Sequence, residues 1–130
     1  MIALDTNILL RYLAQDGGAQ AAAATALIED ELNEEQPAFL SLITLVEMIW
    51  VMRRHYGLDS QGIGAVVRGL LAAPQFVVQE SAIVTHALAQ AGHDMADVLI
   101  HEIGKANGCD KTLTFDRKFA RLAGVELLTR

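Results

Sequence analysis

Two carboxylates stand just after short runs of the sequence that are predicted to be strands. Asp5 follows the run that begins at Ile2, and Asp116 follows the run Thr112–Thr114. In a parallel sheet the carboxyl ends of the strands lie at one edge, which is where such sheets bind ligands. If both runs are strands of such a sheet, Asp5 and Asp116 lie close in space although they are distant in sequence.

Both acids also have an interpretation without chemistry, as N-caps of the helices that follow them. Thr6 and Asn7 could cap the first helix as well as Asp5 could. Three capping-competent residues in a row leave one or two side chains free to face a ligand. The same ambiguity holds for Asp116, and its relation to Asp5 is what favours a site.

Glu47 interrupts an apolar helical stretch, residues 45–52. The stretch is apolar nearly all round, which is typical of a helix buried on most sides. A buried ionised carboxylate is costly unless it is paired or bound to a metal, so the pattern favours a ligand for Glu47. The alternative is an internal salt bridge, or a narrow exposed stripe shared with Arg54, seven residues further along.

Asp94 and Asp97 stand three residues apart at the start of a later helix. One can be the cap and the other the third helical residue, and acids there also favour the helix dipole. That explains both residues without chemistry. We assign the functional role to Asp97, because it lies inside the helix proper, and take Asp94 as the cap or a supporting polar residue.

The elements that must position these acids alternate between strand and helix. Strands are predicted at residues 2–5, 38–40, 76–79, 112–114 and 125–128. Helices are predicted at residues 8–13, 19–32, 43–56, 60–72, 83–91, 94–106 and 117–122. The alternation predicts an α/β fold with parallel strands. No linker, repeat or low-complexity segment interrupts it, so residues 1–130 are predicted to form a single domain.

Composition limits the possible classes of protein. Hydrophobic residues make up 52% of the 130 residues, which excludes a disordered or fibrous chain and suggests a surface for self-association. A single cysteine, Cys109, rules out an intramolecular disulfide and fits a reducing cytosol. No signal peptide or bilayer-spanning run is recognised, so we expect a cytoplasmic protein without a membrane partner. The net charge of −6 opposes phosphate binding unless converging carboxylates hold divalent cations.

Several common catalytic motifs are missing from the sequence. The four histidines show no zinc-binding spacing and are interpreted as surface or core residues. They are His55, His86, His93 and His101. The P-loop, G-x-G-x-x-G and G-x-S-x-G patterns are also absent, so neither a nucleotide-binding nor a serine-hydrolase function is predicted.

The acids and their surroundings resemble the PIN-domain family. The shared features are an apolar strand ending in Asp5-Thr6-Asn7, the helical Glu47, Asp97-Val98-Leu99-Ile100, and Thr114-Phe115-Asp116. Residues 108–125 look like the tail of the VapC-type toxins of bacterial toxin–antitoxin pairs. The resemblance covers essentially the whole chain. Each motif is weak alone, and the ordered set is specific.

This resemblance implies a three-layer sandwich in which helices flank a central, mostly parallel sheet. It also implies RNA cleavage with Mg²⁺ or Mn²⁺, homodimerisation, and inhibition by a small cognate antitoxin. Carried over to this chain, the family's acidic quartet is Asp5, Glu47, Asp97 and Asp116. The supporting polar residues are Asn7, Thr6, Asp94 and Thr114. Asp94 is a departure from the family pattern and leaves open which acid of its pair is the closer ligand.

In the predicted mechanism the quartet binds one or two divalent ions. These lower the pKa of a bound water and stabilise the charge that builds on the phosphate during in-line displacement. Ligands that are all oxygen select hard cations. Basic side chains could guide RNA to the site, although a solvated face is their alternative role. They are Arg11, Arg53, Arg54, Arg117, Lys118 and Arg121.

Two other functions remain open at this point. An Asp after the first strand can be the phosphoryl-accepting nucleophile of a haloacid-dehalogenase-like phosphatase, but the second Asp of that motif is Asn7 here. A noncatalytic interaction domain could instead bind a partner through the apolar helix around Trp50. Such a domain would be indifferent to metal ions and to EDTA.

Overall fold

The computed structural model describes residues 1–90 and 92–129. The fold divides into two compact units, Met1–Ser81 and Ala82–Arg130. Strands alternate with helices, and the strand pairs of the described residues are parallel, so the predicted α/β class is confirmed. None of the helices in this part of the chain combines the length and the apolar composition that crossing a bilayer requires.

The first unit contains a three-stranded parallel sheet. Its strands are β1 (Ile2–Ala3), β2 (Ala38–Leu40) and β3 (Phe76–Val78), with β2 in the middle. Both ends of β3 are buried while Val77 between them is exposed, which is the alternation of a half-buried strand. This strand therefore directs every second side chain into the core.

Four α-helices lie between these strands along the sequence. Three of them begin after a residue whose side chain caps the helix. The helices are α1 (Thr6–Ala14), α2 (Gly18–Ala26), α3 (Leu42–His55) and α4 (Ser60–Ala72). Asp5, Ser41 and Asp59 accept hydrogen bonds from first-turn amides of α1, α3 and α4 respectively. Such caps satisfy amides that have no partner inside the helix, which explains why the helices begin where they do.

The predicted helix 19–32 changes character near its end. α2 stops at Ala26, and Leu27–Glu31 forms a wider π-helical turn in which the Leu32 amide donates to the Leu27 carbonyl at 2.9 Å. The run Glu29-Asp30-Glu31 places negative charge at a helix C-terminus, where it opposes the helix dipole. The prediction of one continuous α-helix was wrong here.

The second unit contains α5 (Ser81–Leu88, which starts at the last residue of the first unit) and α6 (Met95–Ala106). The last residue of the predicted helix 83–91, Ala91, lies outside the described residues. A two-stranded parallel sheet follows, formed by β4 (Thr112–Thr114) and β5 (Val125–Leu127).

The predicted helix 117–122 is a single 3-10 turn, Phe119–Arg121. The turn stops there because Leu122 is already extended (φ −72°, ψ 135°) and β5 begins three residues later, at Val125. The prediction of an α-helix at this point was wrong, since the segment is too short for one.

His101 is a buried polar side chain of the second unit, only 3% exposed. Its Nδ1 lies 2.7 Å from the Thr112 hydroxyl, which joins α6 to β4. Gly124, at φ +89°, lies against the ring: a Cβ there would be 2.8 Å from the His101 Cε1 atom. Of the two roles predicted for His101, the core role is confirmed.

Candidate active site

Asp5 lies two residues after the end of β1, where the chain turns into α1. Its backbone is extended (φ −72°, ψ 151°), and its carboxylate accepts a hydrogen bond from the Thr6 amide at 2.8 Å. The capping interpretation of Asp5 is therefore confirmed. The side chain is also exposed, so capping through one oxygen leaves the carboxylate open to a ligand.

Thr6 joins Asp5 to Glu47. The residue is buried, its amide donates to Asp5, and its hydroxyl donates to the Glu47 Oε2 atom at 3.2 Å. Thr6 and Glu47 are 41 residues apart in sequence. The structure thus brings two of the four predicted acids into hydrogen-bonding contact with one threonine.

The first turn of α3 is anchored beside the end of β1. The Ser41 hydroxyl oxygen accepts a hydrogen bond from the Thr44 amide at 3.1 Å, and the Thr44 hydroxyl donates to the Leu4 carbonyl at 3.4 Å. Glu47 follows Thr44 by three residues and therefore shares its face of the helix. This local arrangement explains why the Glu47 carboxylate reaches Thr6.

Glu47 is exposed, contrary to the prediction of a buried carboxylate. α3 buries one face and leaves large apolar side chains of the opposite face in solvent, with Ile43 72% and Trp50 57% exposed. The apolar pattern was misleading because it does not distinguish a core side chain from an exposed one. The alternative of an exposed stripe shared with Arg54 is confirmed, and we call Ile43, Glu47, Trp50 and Arg54 the α3 stripe.

Asp94 and Asp97 lie at the start of α6. Asp94 is the N-cap, and its Oδ1 accepts hydrogen bonds from the amides of Ala96 at 2.9 Å and Asp97 at 3.2 Å. Asp97 is half-buried in the first turn. The capping role predicted for Asp94 is confirmed, and Asp97 lies in the helix proper.

Asp116 follows β4 as Asp5 follows β1. Its amide donates to the Thr114 hydroxyl oxygen at 3.0 Å, and its Oδ1 accepts from the amides of Lys118 at 2.8 Å and Phe119 at 3.2 Å. Asp116 therefore holds the chain that leads into the 3-10 turn, although the N-cap position of that turn is Lys118. Like Asp5, Asp116 remains exposed.

The donor chemistry of the four acids suits a hard cation, because every donor is a carboxylate oxygen. Asp5, Glu47 and Asp116 form no ion pair with a Lys, Arg or His in residues 1–90 and 92–129. Within either unit, no three His, Cys, Asp or Glu side chains of these residues form a group that could hold a metal ion. The first unit contributes the Asp5 and Glu47 pair, and the meeting of all four acids stays a prediction.

A cavity of about 320 Å³ lies beside Asp5, between α1 and α2. Its polar lining comes from Asp5, Asn7, Arg11 and Gln20. Its apolar lining comes from Ile8, Ala23, Ala24 and Leu27. Sequence reasoning missed Gln20, because an alanine-rich helix has no periodic polar face that would single this residue out.

Two side-chain hydrogen bonds hold α1 against the helical segments that follow it. The Gln15 side-chain amide donates to the Thr25 hydroxyl oxygen at 3.0 Å, and the Tyr12 hydroxyl donates to the Glu29 carboxylate at 3.2 Å. Partial burial raises the pKa of the Tyr12 phenol above its ordinary value of 10.0, and the negative charge of Glu29 and its hydrogen bond raise it further. These contacts join α1 to α2 and to the π-helical turn that follows α2.

The basic residues predicted to guide RNA differ in their surroundings. Arg11 is half-exposed, and its Nη1 lies 3.8 Å from Asp16. The Arg54 guanidinium lies 4.1 Å from the centroid of the Trp50 ring, a cation–π contact. The exposed members of the set are Arg54, Arg117, Lys118 and Arg121. Positive charge is therefore present on the α3 stripe and next to Asp116.

Comparison with known proteins identifies the family. A family model of the PIN domain matches residues 2–125. A search of curated proteins found no match. PIN domains are generally nucleases, and they typically act on nucleic acid with divalent metal ions. Because the match covers nearly the whole chain and includes the positions of all four acids, the chain belongs to the PIN-domain family.

Proposed function

We propose that this chain is a metal-dependent endoribonuclease that holds Mg²⁺ or Mn²⁺ with Asp5, Glu47, Asp97 and Asp116. The observation that carries the proposal is the contact of Asp5 and Glu47 with Thr6. Both carboxylates are exposed, and neither forms an ion pair within the described part of the chain. Neighbouring carboxylates repel one another unless a cation or a proton lies between them, so a divalent ion is the natural occupant.

The chain's own residues position the oxygen ligands. The Thr6 hydroxyl orients Glu47, and the Thr114 hydroxyl fixes the backbone at Asp116. The Asp94 cap holds the first turn of α6, which carries Asp97. A divalent cation, when bound, supplies an activated water and neutralises charge on the phosphodiester.

The net charge of −6 supports a cation-dependent function rather than one based on basic residues alone. Four carboxylates without cations would repel RNA phosphates. Bound divalent ions reverse the local sign and attract the phosphate to the place where it reacts. Oxygen donors favour Mg²⁺ or Mn²⁺ over softer metals.

A finer proposal is that the chain is a cytoplasmic VapC-type toxin that forms a homodimer and is inhibited by a small antitoxin. The resemblance of residues 108–125 to the tail of such toxins supports it. The α3 stripe supports the homodimer, because Ile43 and Trp50 expose apolar surface that a second protein can cover. Size-exclusion chromatography of Trp50→Glu, which should elute as a smaller species than the wild type, tests the homodimer.

Metal-dependent cleavage of a single-stranded RNA, followed on gels, tests the central proposal. We expect cleavage with Mn²⁺ or Mg²⁺ and none with EDTA. Asp5→Asn and Glu47→Gln should each reduce the rate by more than about 100-fold, because losing a ligand costs more than losing its outer-shell partner. The unfolding temperature of Asp5→Asn should stay close to that of the wild type, since Asn is an equally good cap.

Matched controls replace exposed acids of the same unit. Asp30→Asn and Glu34→Gln change the charge by the same amount away from Thr6 and should retain activity. Cleavage that survives EDTA, or full activity of Asp5→Asn, would contradict the proposal. A protein that cleaves no RNA and whose unfolding temperature does not respond to Mn²⁺ would be a noncatalytic interaction domain.

A further inference from the structure

The cavity between α1 and α2 has the size and lining of a small-ligand site. Its volume of about 320 Å³ is near the lower end of the range for such sites. Ile8, Ala23 and Leu27 give it apolar walls, and Asn7 and Gln20 add amide groups that both donate and accept hydrogen bonds. Flat molecules with apolar faces and a hydrogen-bonding edge fit this combination.

Arg11 is one of the residues that line the cavity. Its Nε atom is buried and has no hydrogen-bond acceptor among the described residues. The ion pair with Asp16 involves Nη1 instead, at 3.8 Å. Buried donors without partners are rare in proteins. An acceptor supplied by a ligand would satisfy this one if the side chain turned its Nε–H group toward the cavity.

We propose that this cavity binds a guanine base of single-stranded RNA, at the nucleotide next to the cleaved bond. Guanine presents two acceptors, O6 and N7, on one edge, and this edge matches the fork of an arginine guanidinium. Adenine presents one acceptor and one donor on that edge, so its amino group would face the donors of Arg11. The apolar walls and the nearby Asp5 carboxylate disfavour a phosphate in the same place.

The position of the cavity links it to the reaction. Asp5 lines the cavity and also contacts Thr6, which bonds to Glu47. A base held in the cavity therefore places its own phosphate beside the proposed metal ligands. The RNA must be single-stranded, because a base enters such a cavity only when it is unstacked and unpaired. This inference rests on the proposed function for its ligand, RNA.

Binding of mononucleotides without metal tests the inference separately from catalysis. GMP and AMP carry the same phosphate, so their difference reports on the base. In EDTA, followed by NMR chemical-shift changes, GMP should bind at least tenfold more tightly than AMP. Arg11→Lys keeps the positive charge but loses the paired donors of the guanidinium. It should remove most of the preference for GMP over AMP.

A pair of alanine substitutions on α2 provides a steric test. Ala23 is exposed and lines the cavity, whereas its neighbour Ala22 is exposed and lines a different depression. Ala23→Leu should weaken GMP binding at least tenfold, and Ala22→Leu should leave it unchanged. Circular dichroism spectra should show that both variants are folded.

The outcomes separate this inference from the proposed function. Equal binding of GMP and AMP, no binding of GMP, or wild-type GMP binding by Ala23→Leu would each overturn the guanine site, whatever the protein does to RNA. Metal-independent GMP binding that Ala23→Leu abolishes, in a protein that cleaves no RNA, would overturn the proposed catalytic function and leave the base site standing.

Discussion

The Thr6–Glu47 contact and the His101–Thr112 contact use the same chemistry in opposite surroundings. In each, a threonine hydroxyl bonds to a titratable side chain. Glu47 is exposed, whereas His101 is 3% exposed and packed against Gly124. An exposed partner can exchange its hydrogen bond for water or a ligand, and a buried one cannot. We therefore expect the first contact to govern activity and the second to govern stability.

Gly124→Ala should produce the largest effect, a loss of about 2–4 kcal/mol in the free energy of unfolding. The left-handed φ of +89° is strained for alanine, and the new Cβ would lie 2.8 Å from the His101 ring. Urea unfolding followed by circular dichroism measures the loss.

Gly108→Ala is the matched control for this substitution. Gly108 has nearly the same φ, +88°, but no atom within 4 Å of an added Cβ. It should show backbone strain alone, about 1–2 kcal/mol. Equal losses in the free energy of unfolding of the two variants would mean that the contact with the His101 ring does not contribute to the destabilisation by Gly124→Ala.

Thr6→Val should slow RNA cleavage by about 10–100-fold, as expected for a residue that orients a metal ligand. Valine keeps the shape of the side chain and the hydrogen bond from the backbone amide to Asp5, but it removes the hydroxyl that donates to Glu47. The concentration of Mn²⁺ needed for half-maximal activity should rise, while the unfolding temperature changes little. Thr6→Ser keeps the hydroxyl and should restore the metal affinity. Unchanged metal affinity in Thr6→Val together with a large loss of stability would assign Thr6 to folding alone.

Thr112→Val should lower the free energy of unfolding by about 1–3 kcal/mol, because it leaves the His101 Nδ1 atom buried without a partner. Urea unfolding measures this, and cleavage by the folded protein should change little. Thr25→Val, which removes an exposed hydrogen bond to Gln15, is the control and should stay within about 0.5 kcal/mol of the wild type. A Thr112→Val protein as stable as its control would remove the distinction between the two contacts.

The smallest effect concerns Tyr12, whose pKa is raised in the folded protein. Partial burial, and then the contact with Glu29, favour the protonated phenol in the folded protein, so the stability that depends on it is present below pH 10.0 and is lost as the pH rises through the folded-state pKa. Phenolate absorbance of a Tyr56→Phe variant should give a midpoint above 10.0. Adding Glu29→Gln should lower that midpoint, and an unchanged midpoint would contradict the role of Glu29.

Local sequence signals predicted several elements to the residue. The helix Ser60–Ala72 begins after the capping Asp59, and the strands Ala38–Leu40 and Thr112–Thr114 have the predicted bounds. Caps and short strand-forming runs depend on only a few neighbouring residues, so they can be recognised in the sequence before the fold is known. The ends of α2 and the segment after Asp116 were less predictable, because a helix terminus depends on the next element as well as on its own residues.

The candidate site was predictable in its residue types and less so in its surroundings. The strand ends placed Asp5 and Asp116 correctly after β1 and β4. The sequence offered both a buried and an exposed Glu47 and did not decide between them, because helical periodicity does not say whether the second apolar face is covered. The cavity beside Asp5 and the burial of the Arg11 Nε atom depend on how two helices pack, and no local pattern encodes that packing.

Trp50 is the one tryptophan in the chain, and it lies on the α3 stripe one turn from Glu47. The tryptophan fluorescence of this protein therefore comes from the stripe. A second protein surface that covers the indole would shift its emission to the blue, while Mn²⁺ held by Glu47 would quench it by proximity. The chain thus carries its own optical reporter, able to distinguish association from ion loading without an attached dye.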